Sequence, residues 1–344
     1  MDQNGWQETK LTLQHVAPHT VTISHMQCTN EPNTQENTCF DTTSIQMQTS
    51  GKGHVESYEI FPGLAVLFYQ FLAQQVHVVH PHAPFLLQID YCDQGRVGWD
   101  MQNGDAVYLG TGDVCIHNLH HCANATMRFP LGFYRGVAIL ADLKALQINS
   151  PDIFQQTGFD PTALQKRFCK DNQACSILSC ADTQHLFAPL CNAPHTQRSA
   201  YARLKAVETL LYLSRLSPEQ TRSMSQYGAQ KVALIREIHD FLIANPAQRF
   251  TIETLSKKYL INTSSLKTMF KAVYGMPLAA YLKEYRMKCA MRLLATGDAS
   301  IADVAAAVGY ETQGKFTKAF KAYAGTLPSE FRRQSRHLSD VEQM

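Results

Sequence analysis

Long apolar runs are missing from this chain of 344 residues. A helix that crosses a bilayer needs about 20 consecutive apolar residues, and the nearest candidate, PGLAVLFYQFLA at 62–73, is too short. The first ten residues, MDQNGWQETK, also lack the basic segment and apolar stretch of a secretion signal. The sequence therefore predicts a cytoplasmic protein without a membrane partner.

Signatures of catalysis are equally scarce. The chain contains no GxSxG motif, no Walker phosphate-binding loop and no GxGxxG motif after a strand. Nine of its ten cysteines precede residue 192, but they form no CxxC pair, so we expect free thiols in a reducing compartment. These absences predict a protein that is not an enzyme, has no catalytic residues and holds no cofactor.

The charge is unevenly distributed along the chain. Residues 231–344 carry 17 Lys and Arg against 10 Asp and Glu, whereas residues 1–230 carry 14 against 19. A basic C-terminal region beside a mildly acidic N-terminal region indicates that the two parts have different partners. The partner of the C-terminal part is expected to be anionic.

The basic region contains one short pattern twice. LSKKYLINTSSLKTMFKAVYG at 255–275 aligns with VAAAVGYETQGKFTKAFKAYAG at 304–325, and the second copy is longer by a one-residue insertion in its turn. In each copy the apolar spacing predicts a short helix, a tight turn and a second helix that stops at Gly275 or Gly325. Each copy therefore predicts a helix-turn-helix.

A single longer helix is predicted between the two copies. It begins near Pro277 and ends at Gly297, and its apolar residues form one stripe with a period near 3.6. The stripe consists of Leu278, Tyr281, Leu282, Tyr285, Cys289 and Leu293. A helix of about 18 residues is about 27 Å long, and successive major-groove faces of B-DNA lie about 34 Å apart. The spacing predicts that both copies enter adjacent turns of one duplex.

These motifs resemble the DNA-binding domain of AraC/XylS-type transcription regulators. The similarity runs from about residue 231 to 334 and includes YL..YR...A..LL at 281–294, I.DVA..VGY at 301–310 and F.KAFK...G..PSEFR at 316–332. One departure is Gly314, which stands where a longer polar side chain is common. The resemblance implies that this departure removes one base contact.

The resemblance also implies which residues contact DNA. Those that it assigns to base edges are Ser264, Lys267, Thr268, Gln313, Thr317 and Lys318. Those assigned to phosphates are Lys271, Arg286, Lys315 and Lys321. Lysine can donate to guanine, glutamine can pair with adenine and a threonine methyl can contact thymine. The implied partners are double-stranded DNA and RNA polymerase, and a homodimer is left open.

The N-terminal region alternates apolar and polar residues with a period of two, and Gly-Asp turns recur about every 8 to 10 residues. Such short strands predict a barrel or jelly roll, and the resemblance implies a cupin-like β-barrel over about 55–140 that binds an effector. Helical patterns follow over about 141–216, at Asp160–Cys169 and Tyr201–Leu216. A polar segment at 217–229 is predicted to be a linker.

Two histidine clusters, HVVHPH at 77–82 and HNLHHC at 117–122, are candidate metal ligands. Metal-binding cupins resemble HxH followed by Glu, with another His on a later strand. His80 and His82 supply HxH, but no Glu follows at the expected interval, and Cys115 stands where the later His would lie. The set is incomplete, so no metal site is predicted.

The effector is not identified by the residues. The stretches FPGLAVLFYQF and GRVGWDM are similar to those of siderophore-responsive regulators, which implies an iron–siderophore complex as one candidate. A thiol or metal signal sensed by the cysteines is the rival candidate.

Together the patterns predict an α+β protein with an N-terminal cupin-like barrel, a helical extension and a C-terminal all-α double helix-turn-helix domain. The predicted boundaries are a sensor domain at 1–216, a linker at 217–229, an AraC-type domain at 230–336 and a tail at 337–344. The predicted function is sequence-specific, effector-responsive activation of transcription. The alternatives left open are a DNA-binding module fused to an enzyme or to a thiol or metal sensor, and a helical bundle whose lysines are only solvated.

Overall fold

The computed structural model describes residues 3–27, 46–79, 85–100, 105–119, 126–168, 174–177, 180–225 and 227–341. The chain divides into two compact units, Met1–Ala229 and Gln230–Met344. The first unit is rich in strands and the second is helical. The predicted mixture of an α+β region and a C-terminal helical region is confirmed.

The first unit contains fourteen strands among its described residues. They are β1 (Thr20–Gln27), β2 (Gln46–Thr49), β3 (Lys52–Phe61), β4 (Leu64–Leu72), β5 (Gln75–Val79), β6 (Leu86–Gly95), β7 (Val97–Asp100), β8 (Asp105–Leu109), β9 (Val114–Asn118), β10 (Thr126–Arg128), β11 (Tyr134–Asp142), β12 (Cys175–Ile177), β13 (Arg222–Ser223) and β14 (Tyr227–Gly228). Its helices are α1 (Gln3–Thr12), α2 (Leu143–Ile148), α3 (Asp152–Thr157), α4 (Pro161–Phe168), α5 (Ala181–Cys191) and α6 (Arg198–Arg215).

The strands form two sheets. The eight-stranded sheet has the order β1-β3-β4-β11-β6-β9-β12-β13, and the six-stranded sheet has the order β14-β8-β7-β10-β5-β2. Among the described strands no hydrogen-bonded pair joins the two sheets, so the predicted closed barrel over 55–140 is not confirmed. One hydrophobic cluster fills the space between the sheets, and a second lies between the larger sheet and helices α2 to α6.

Strand β4 explains the longest apolar run in the sequence. Leu64, Val66 and Phe68 belong to the cluster under the helices, whereas Leu67 and Phe71 belong to the cluster between the sheets. Successive side chains of a strand point to opposite faces, so a strand buried on both faces is apolar at nearly every position. The run is therefore a central strand.

The part of the first unit predicted to be helical, about 141–216, is mostly helical but also contains strand β12, which pairs with β9. The two predicted helices are confirmed as α4 and α6, with ends that differ slightly from the expected ones. The segment predicted to be a linker, 217–229, also contains regular structure. Its strands β13 and β14 pair with β12 and β8, one in each sheet.

The second unit consists of helices α7 (Ala229–Ala244), α8 (Ile252–Lys258), α9 (Thr263–Tyr274), α10 (Leu278–Thr296), α11 (Ile301–Ala307), α12 (Gln313–Ala324) and α13 (Pro328–Val341). Helices α8 and α9 form the first predicted helix-turn-helix, and α11 and α12 form the second. The 19-residue helix α10 joins them, as predicted. In the described part of the chain, no helix combines the length and the apolar character that a membrane span requires.

The two copies are built from matching local interactions. Asn262 and Thr312 cap the second helix of each copy, accepting from the backbone N–H groups of Ser265 and Lys315. Gly275 and Gly325 end these helices with φ of +81° and +77°, a left-handed conformation that costs glycine little. Both predicted stops are confirmed.

The insertion between the copies is located at Glu311. The N–H of Ile261 donates to the carbonyl of Ser256, and the N–H of Tyr310 makes the equivalent bond to Ala305. In the first copy the cap Asn262 follows Ile261 directly, whereas in the second copy Glu311 stands between Tyr310 and the cap Thr312. The extra residue of the second turn is therefore the one directly before its cap.

Helix α10 buries a different side at each end. Leu278 and Leu282 are buried in its first half, whereas Ala290 and Leu294 are buried in its second half. Leu293 is 39% exposed, so the predicted single stripe is wrong at its C-terminal end. The buried face differs between the two ends because the first half of the helix packs against the first helix-turn-helix and the second half packs against the second.

His239 on α7 packs against the first helix-turn-helix and the start of α10. Its ring stacks on Tyr274 with centroids 4.3 Å apart, and its Nε2 lies 2.8 Å from the hydroxyl of Tyr281. Burial lowers the pKa of His239, and the nearby carboxylate of Asp240 opposes this shift. The neutral ring is therefore the form that fits this packing.

Gly309 is expected to tolerate no side chain. Its φ is +81°, and an added Cβ would lie 2.8 Å from the carbonyl oxygen of Ala247 and 2.9 Å from that of Pro246. Gly309→Ala should lower the free energy of unfolding of the helical unit by about 1 to 3 kcal/mol. The control is Gly314→Ala in α12, where no atom lies within 4 Å of the new Cβ. It should raise the stability by about 0.5 to 1 kcal/mol, because alanine favours a helix.

Urea unfolding of the full chain, followed by circular dichroism, measures both changes. Equal effects of the two substitutions would contradict the close packing of this turn.

His239 should make the helical unit less stable in acid. Because its pKa is lower in the folded state, the unfolded chain takes up the proton first as the pH falls through about 6.5, and the stabilisation present above that value is lost. Denaturant unfolding at about pH 7.5 and 5.5 should show a larger loss for the wild type than for His239→Phe, which retains an aromatic ring but cannot titrate. Identical losses in the two proteins would contradict this role.

Candidate nucleic-acid interface

Helix α9 has one buried face and one exposed polar face. Leu266, Met269, Phe270, Val273 and Tyr274 form the buried face. The predicted contact residues Ser264, Lys267, Thr268 and Lys271 are all exposed. They recur at spacings of three and four residues, which places them on one side of the helix.

Helix α12 has the same division. Phe316 and Phe320 are fully buried, and the predicted contact residues Gln313, Lys315, Lys318 and Lys321 are exposed. Thr317 is only partly exposed. The sequences of α9 and α12 contain no Asp or Glu, so each helix presents a cationic face without an opposing charge of its own.

Lys271 and Lys321 occupy equivalent positions in the two copies. Their backbone carbonyls accept the N–H groups of the terminating glycines Gly275 and Gly325, at 2.8 and 2.9 Å. In the same alignment Lys267 matches Thr317 and Thr268 matches Lys318.

The two exposed faces therefore share one lysine position. At the two neighbouring positions lysine and threonine are exchanged.

Lys315 already has a partner in the protein. Its ammonium lies 2.7 Å from one carboxylate oxygen of Glu311, and the other oxygen lies 2.7 Å from the guanidinium of Arg249. Hydrogen bonding from Lys315 and the charge of Arg249 lower the pKa of Glu311. All three side chains are exposed, so a phosphate can compete with this pair at little cost.

Arg286 has a structural role that the sequence did not indicate. Its Nε donates to the carbonyl of Pro246 at 2.9 Å, and its Nη2 donates to the carbonyl of Gln248 at 2.6 Å. The loop that it holds is the one against which Gly309 packs. The structure thus places Arg286 on the protein backbone, and we leave it out of the proposed phosphate contacts.

Three residues of this domain escaped the sequence patterns. Arg286 and His239 make contacts with residues that are distant in the sequence, and periodicity carries no signal for such contacts. Glu311 did carry a signal, because it is the insertion between the copies. Its bridging of Arg249 and Lys315 became visible only in three dimensions.

The candidate metal ligands lie mostly outside the described residues. His80, His82 and residues 120–122 belong to segments that the structure does not describe. Nδ1 of His77 lies 3.3 Å from the hydroxyl of Thr126. Within the described ranges no three His, Cys, Asp or Glu side chains are grouped as metal ligands. The absence of a bound metal stays a prediction.

A polar cluster lies between the two sheets. Gln88 and Asp90 on β6 pair in register with His117 and Cys115 on β9, and all four are buried. Burial raises the pKa of Asp90 to about 7, and Gln88 opposes this shift by donating to both carboxylate oxygens.

Asp90 and Cys115 both approach Nδ1 of His117, each at 3.6 Å. A proton relay would use the two different ring nitrogens. The geometry is therefore not that of an Asp–His–Cys relay.

Comparison with known proteins locates the similarity in the helical unit. Residues 255–334 match a family model described as "Helix-turn-helix domain". The chain is 32% identical over 92 residues to the HTH-type transcriptional regulator AlkR of Acinetobacter baylyi, covering 27% of this chain and 30% of that protein. It is 33% identical over 89 residues to a regulator of Streptomyces lividans named as AraC-like, covering 26% and 29%.

A solved structure is similar to part of the chain. The C-terminal domain of AraT, a response regulator from Geobacillus stearothermophilus, is 27% identical, with a TM-score of 0.29, and covers 35% of this chain and 88% of that chain. The chain spans less than a third of the length of the two curated relatives. The similarity thus concerns one domain: residues 255–334 form a helix-turn-helix domain similar to those of AraC-like transcription regulators.

Proposed function

We propose that the chain is a sequence-specific, DNA-binding activator of transcription that responds to an effector. The observation that carries this proposal is the pair of matched helices, α9 and α12, each with a buried aromatic face and an exposed, acid-free cationic face. A solvated surface would not require the same caps, stops and lysine position in two copies. Two copies joined by one spacer can bind two successive turns of one duplex.

The spacer has a suitable length for this task. Helix α10 has 19 residues, which corresponds to about 28 Å, and the major groove returns to the same side of B-DNA after about 34 Å. We propose that α9 and α12 enter successive major-groove segments. Both helix-turn-helix units bury residues of α10, which supports a fixed separation between them.

The exposed residues divide into two kinds of contact. We propose that Ser264, Lys267, Thr268, Gln313, Thr317 and Lys318 read base edges. We propose that Lys271, Lys315 and Lys321 bind phosphates, which position the protein without reading sequence. The shared position of Lys271 and Lys321 supports this division, because phosphates look the same at every turn of the duplex.

The two half-sites should differ in sequence. Lys267 corresponds to Thr317, and Thr268 corresponds to Lys318, so the lysine donor and the threonine methyl are exchanged between the copies. A lysine favours guanine and a threonine methyl favours thymine. The proposed operator is therefore asymmetric, with two unlike segments one helical turn apart.

The first unit is proposed to be the sensor. The two facing sheets support the proposal that this unit has a cupin-like fold. The sheet that the helices cover supports the proposal that the unit binds a small molecule. The effector shifts the population of chains that are competent to bind DNA or to contact RNA polymerase. The family resemblance adds an iron–siderophore complex as one candidate effector and leaves a homodimer open.

For the alternative of a fused enzyme or thiol sensor, the described residues offer the Cys115 thiol beside His117 as a candidate feature. Cys115 is 1% exposed, so a substrate or oxidant would have to open the sheet sandwich to reach it. The contacts of His117 do not form a relay. We therefore favour the DNA-binding regulator.

Base-contact substitutions should change the sequence preference. Lys318→Ala and Gln313→Ala are each expected to weaken binding by about 1 to 3 kcal/mol at particular base pairs and to relax the preference there. Selection from a random duplex library by the full chain identifies the operator. Fluorescence anisotropy on single-base variants then measures the preference. A uniform loss across all duplexes would contradict the assignment.

Phosphate-contact substitutions should behave differently. Lys271→Ala and Lys321→Ala should weaken binding to all duplexes similarly and lower the slope of log K against log salt by about 1 each, because fewer counterions are released. Lys283→Ala removes an exposed lysine from α10 and should change neither property. If Lys283→Ala lowers the slope as much as Lys271→Ala does, general charge rather than the two helices accounts for binding.

A further inference from the structure

A polar cleft lies within the first unit, on the face of the eight-stranded sheet that the helices cover. His54 on β3, Gln70 on β4 and Arg135 on β11 are direct neighbours in register across three strands. The cleft that they line contains about 430 Å³ of empty space, part of it open to solvent. The DNA contacts proposed above involve none of these residues.

Two ion pairs form the walls of the cleft. Arg198, the first residue of α6, donates from Nη1 to Glu56 at 2.8 Å, and Arg135 donates from Nε to Asp93 at 2.5 Å. Burial raises the pKa of Glu56, but hydrogen bonds from His54, Arg198 and Tyr58 outweigh this and hold it at about 2. The cleft therefore contains two fixed positive and two fixed negative charges, and these cancel.

Two buried polar atoms of residues that line the cleft have no hydrogen-bond partner among the described residues. They are Nε of Arg198, a donor, and Oε1 of Gln70, an acceptor. Buried polar atoms of folded proteins are almost always paired with protein or ordered water, so an unpaired donor and acceptor in one cleft point to a missing occupant. That occupant must offer an acceptor to Arg198 and a donor to Gln70.

The charges of the cleft restrict the occupant further. A singly charged ion would bring one uncompensated charge into a cleft whose own charges already cancel, and burying such a charge is costly. A zwitterion adds no net charge. Its carboxylate suits the Arg198 guanidinium at the N-terminus of α6, where the helix dipole favours an anion, and its ammonium suits the carbonyl oxygen of Gln70. Phe68 and Val137 supply an apolar wall for a small aliphatic side chain.

We propose that this cleft binds a small aliphatic α-amino acid. The binding itself is independent of DNA. Only the assignment of this amino acid as the effector rests on the proposed function. This ligand class differs from the iron–siderophore complex implied by the family resemblance.

Isothermal titration calorimetry on the full chain tests the ligand class with three probes of similar shape. L-valine carries both charges, 3-methylbutanoate lacks the ammonium and 2-methylpropan-1-amine lacks the carboxylate. We expect saturable binding of L-valine and at least about tenfold weaker binding of the other two, since each forfeits one charged hydrogen bond. Equal binding of all three would overturn the proposal, because neither charged group would then be recognised. Binding of none would overturn it as well, because ordered water would then be the only occupant.

Two substitutions test the site. Arg198→Lys keeps the charge beside Glu56 but removes Nε, and Gln70→Leu removes the unpaired acceptor at nearly constant volume. Each should weaken L-valine binding at least about tenfold. Arg215→Lys, an exposed arginine in the last turn of α6, is the matched control and should bind as the wild type does.

The unliganded proteins provide an independent readout. Gln70→Leu should unfold at the same temperature as the wild type or higher, because it removes a buried atom without a partner. An equally affected Arg215→Lys variant, or unchanged L-valine binding by Gln70→Leu, would show that the cleft is not the site.

DNA binding is measured separately, by anisotropy on the selected duplex with and without L-valine. If the chain binds no duplex but binds L-valine, the proposed function fails and the site stands. If the chain binds DNA with an affinity that L-valine leaves unchanged, the site stands and its role as the effector site is overturned.

Discussion

The proposed interface depends on one packing interaction that occurs twice. Phe270 of α9 meets Tyr281 edge to face with ring centroids 5.6 Å apart, and Phe320 of α12 meets Phe331, the equivalent pair of the second copy, at the same distance and nearly the same angle. These contacts anchor α9 to α10 and α12 to α13. Burying the aromatic side of a helix fixes its rotation about its axis. The cationic side must then face outward, so hydrophobic packing determines which residues are available to DNA.

The differences between the copies are as informative as their likeness. Packing, caps and glycine stops are shared because both copies must build the same small fold. The exposed lysine and threonine positions are exchanged, and Glu311 is added to the second turn, where it joins Arg249 to Lys315. Duplicated scaffolds with diverged surfaces suit a protein that reads two unlike segments of one duplex. A helical bundle with an ordinary solvated surface has no need for such a division.

In the first unit, burial constrains polar side chains rather than the orientation of a helix. Its larger sheet is covered on both faces, by the smaller sheet and by helices, so a polar group on it must find a partner inside the protein. At the cleft most polar groups find their partners in the ion pairs Glu56–Arg198 and Asp93–Arg135. One buried donor and one buried acceptor have no partner among the described residues. An occupant that satisfies both would couple the sheet to the start of α6, which is a physical basis for a ligand to stabilise this unit.

The sequence by itself determined the local features: both helix-turn-helix units, their glycine stops, the spacer helix and the exposure of most predicted contact residues. Caps and amphipathic faces involve residues within about four positions of one another, so periodicity and residue type suffice to predict them. The base and phosphate contacts themselves stay predictions. Only the tertiary structure decided that Leu293 is exposed, that Arg286 holds a distant loop and that the described strands form two sheets rather than a closed barrel. It alone aligned the cleft residues His54, Gln70 and Arg135 across three strands, because strand pairing joins segments that local periodicity does not relate.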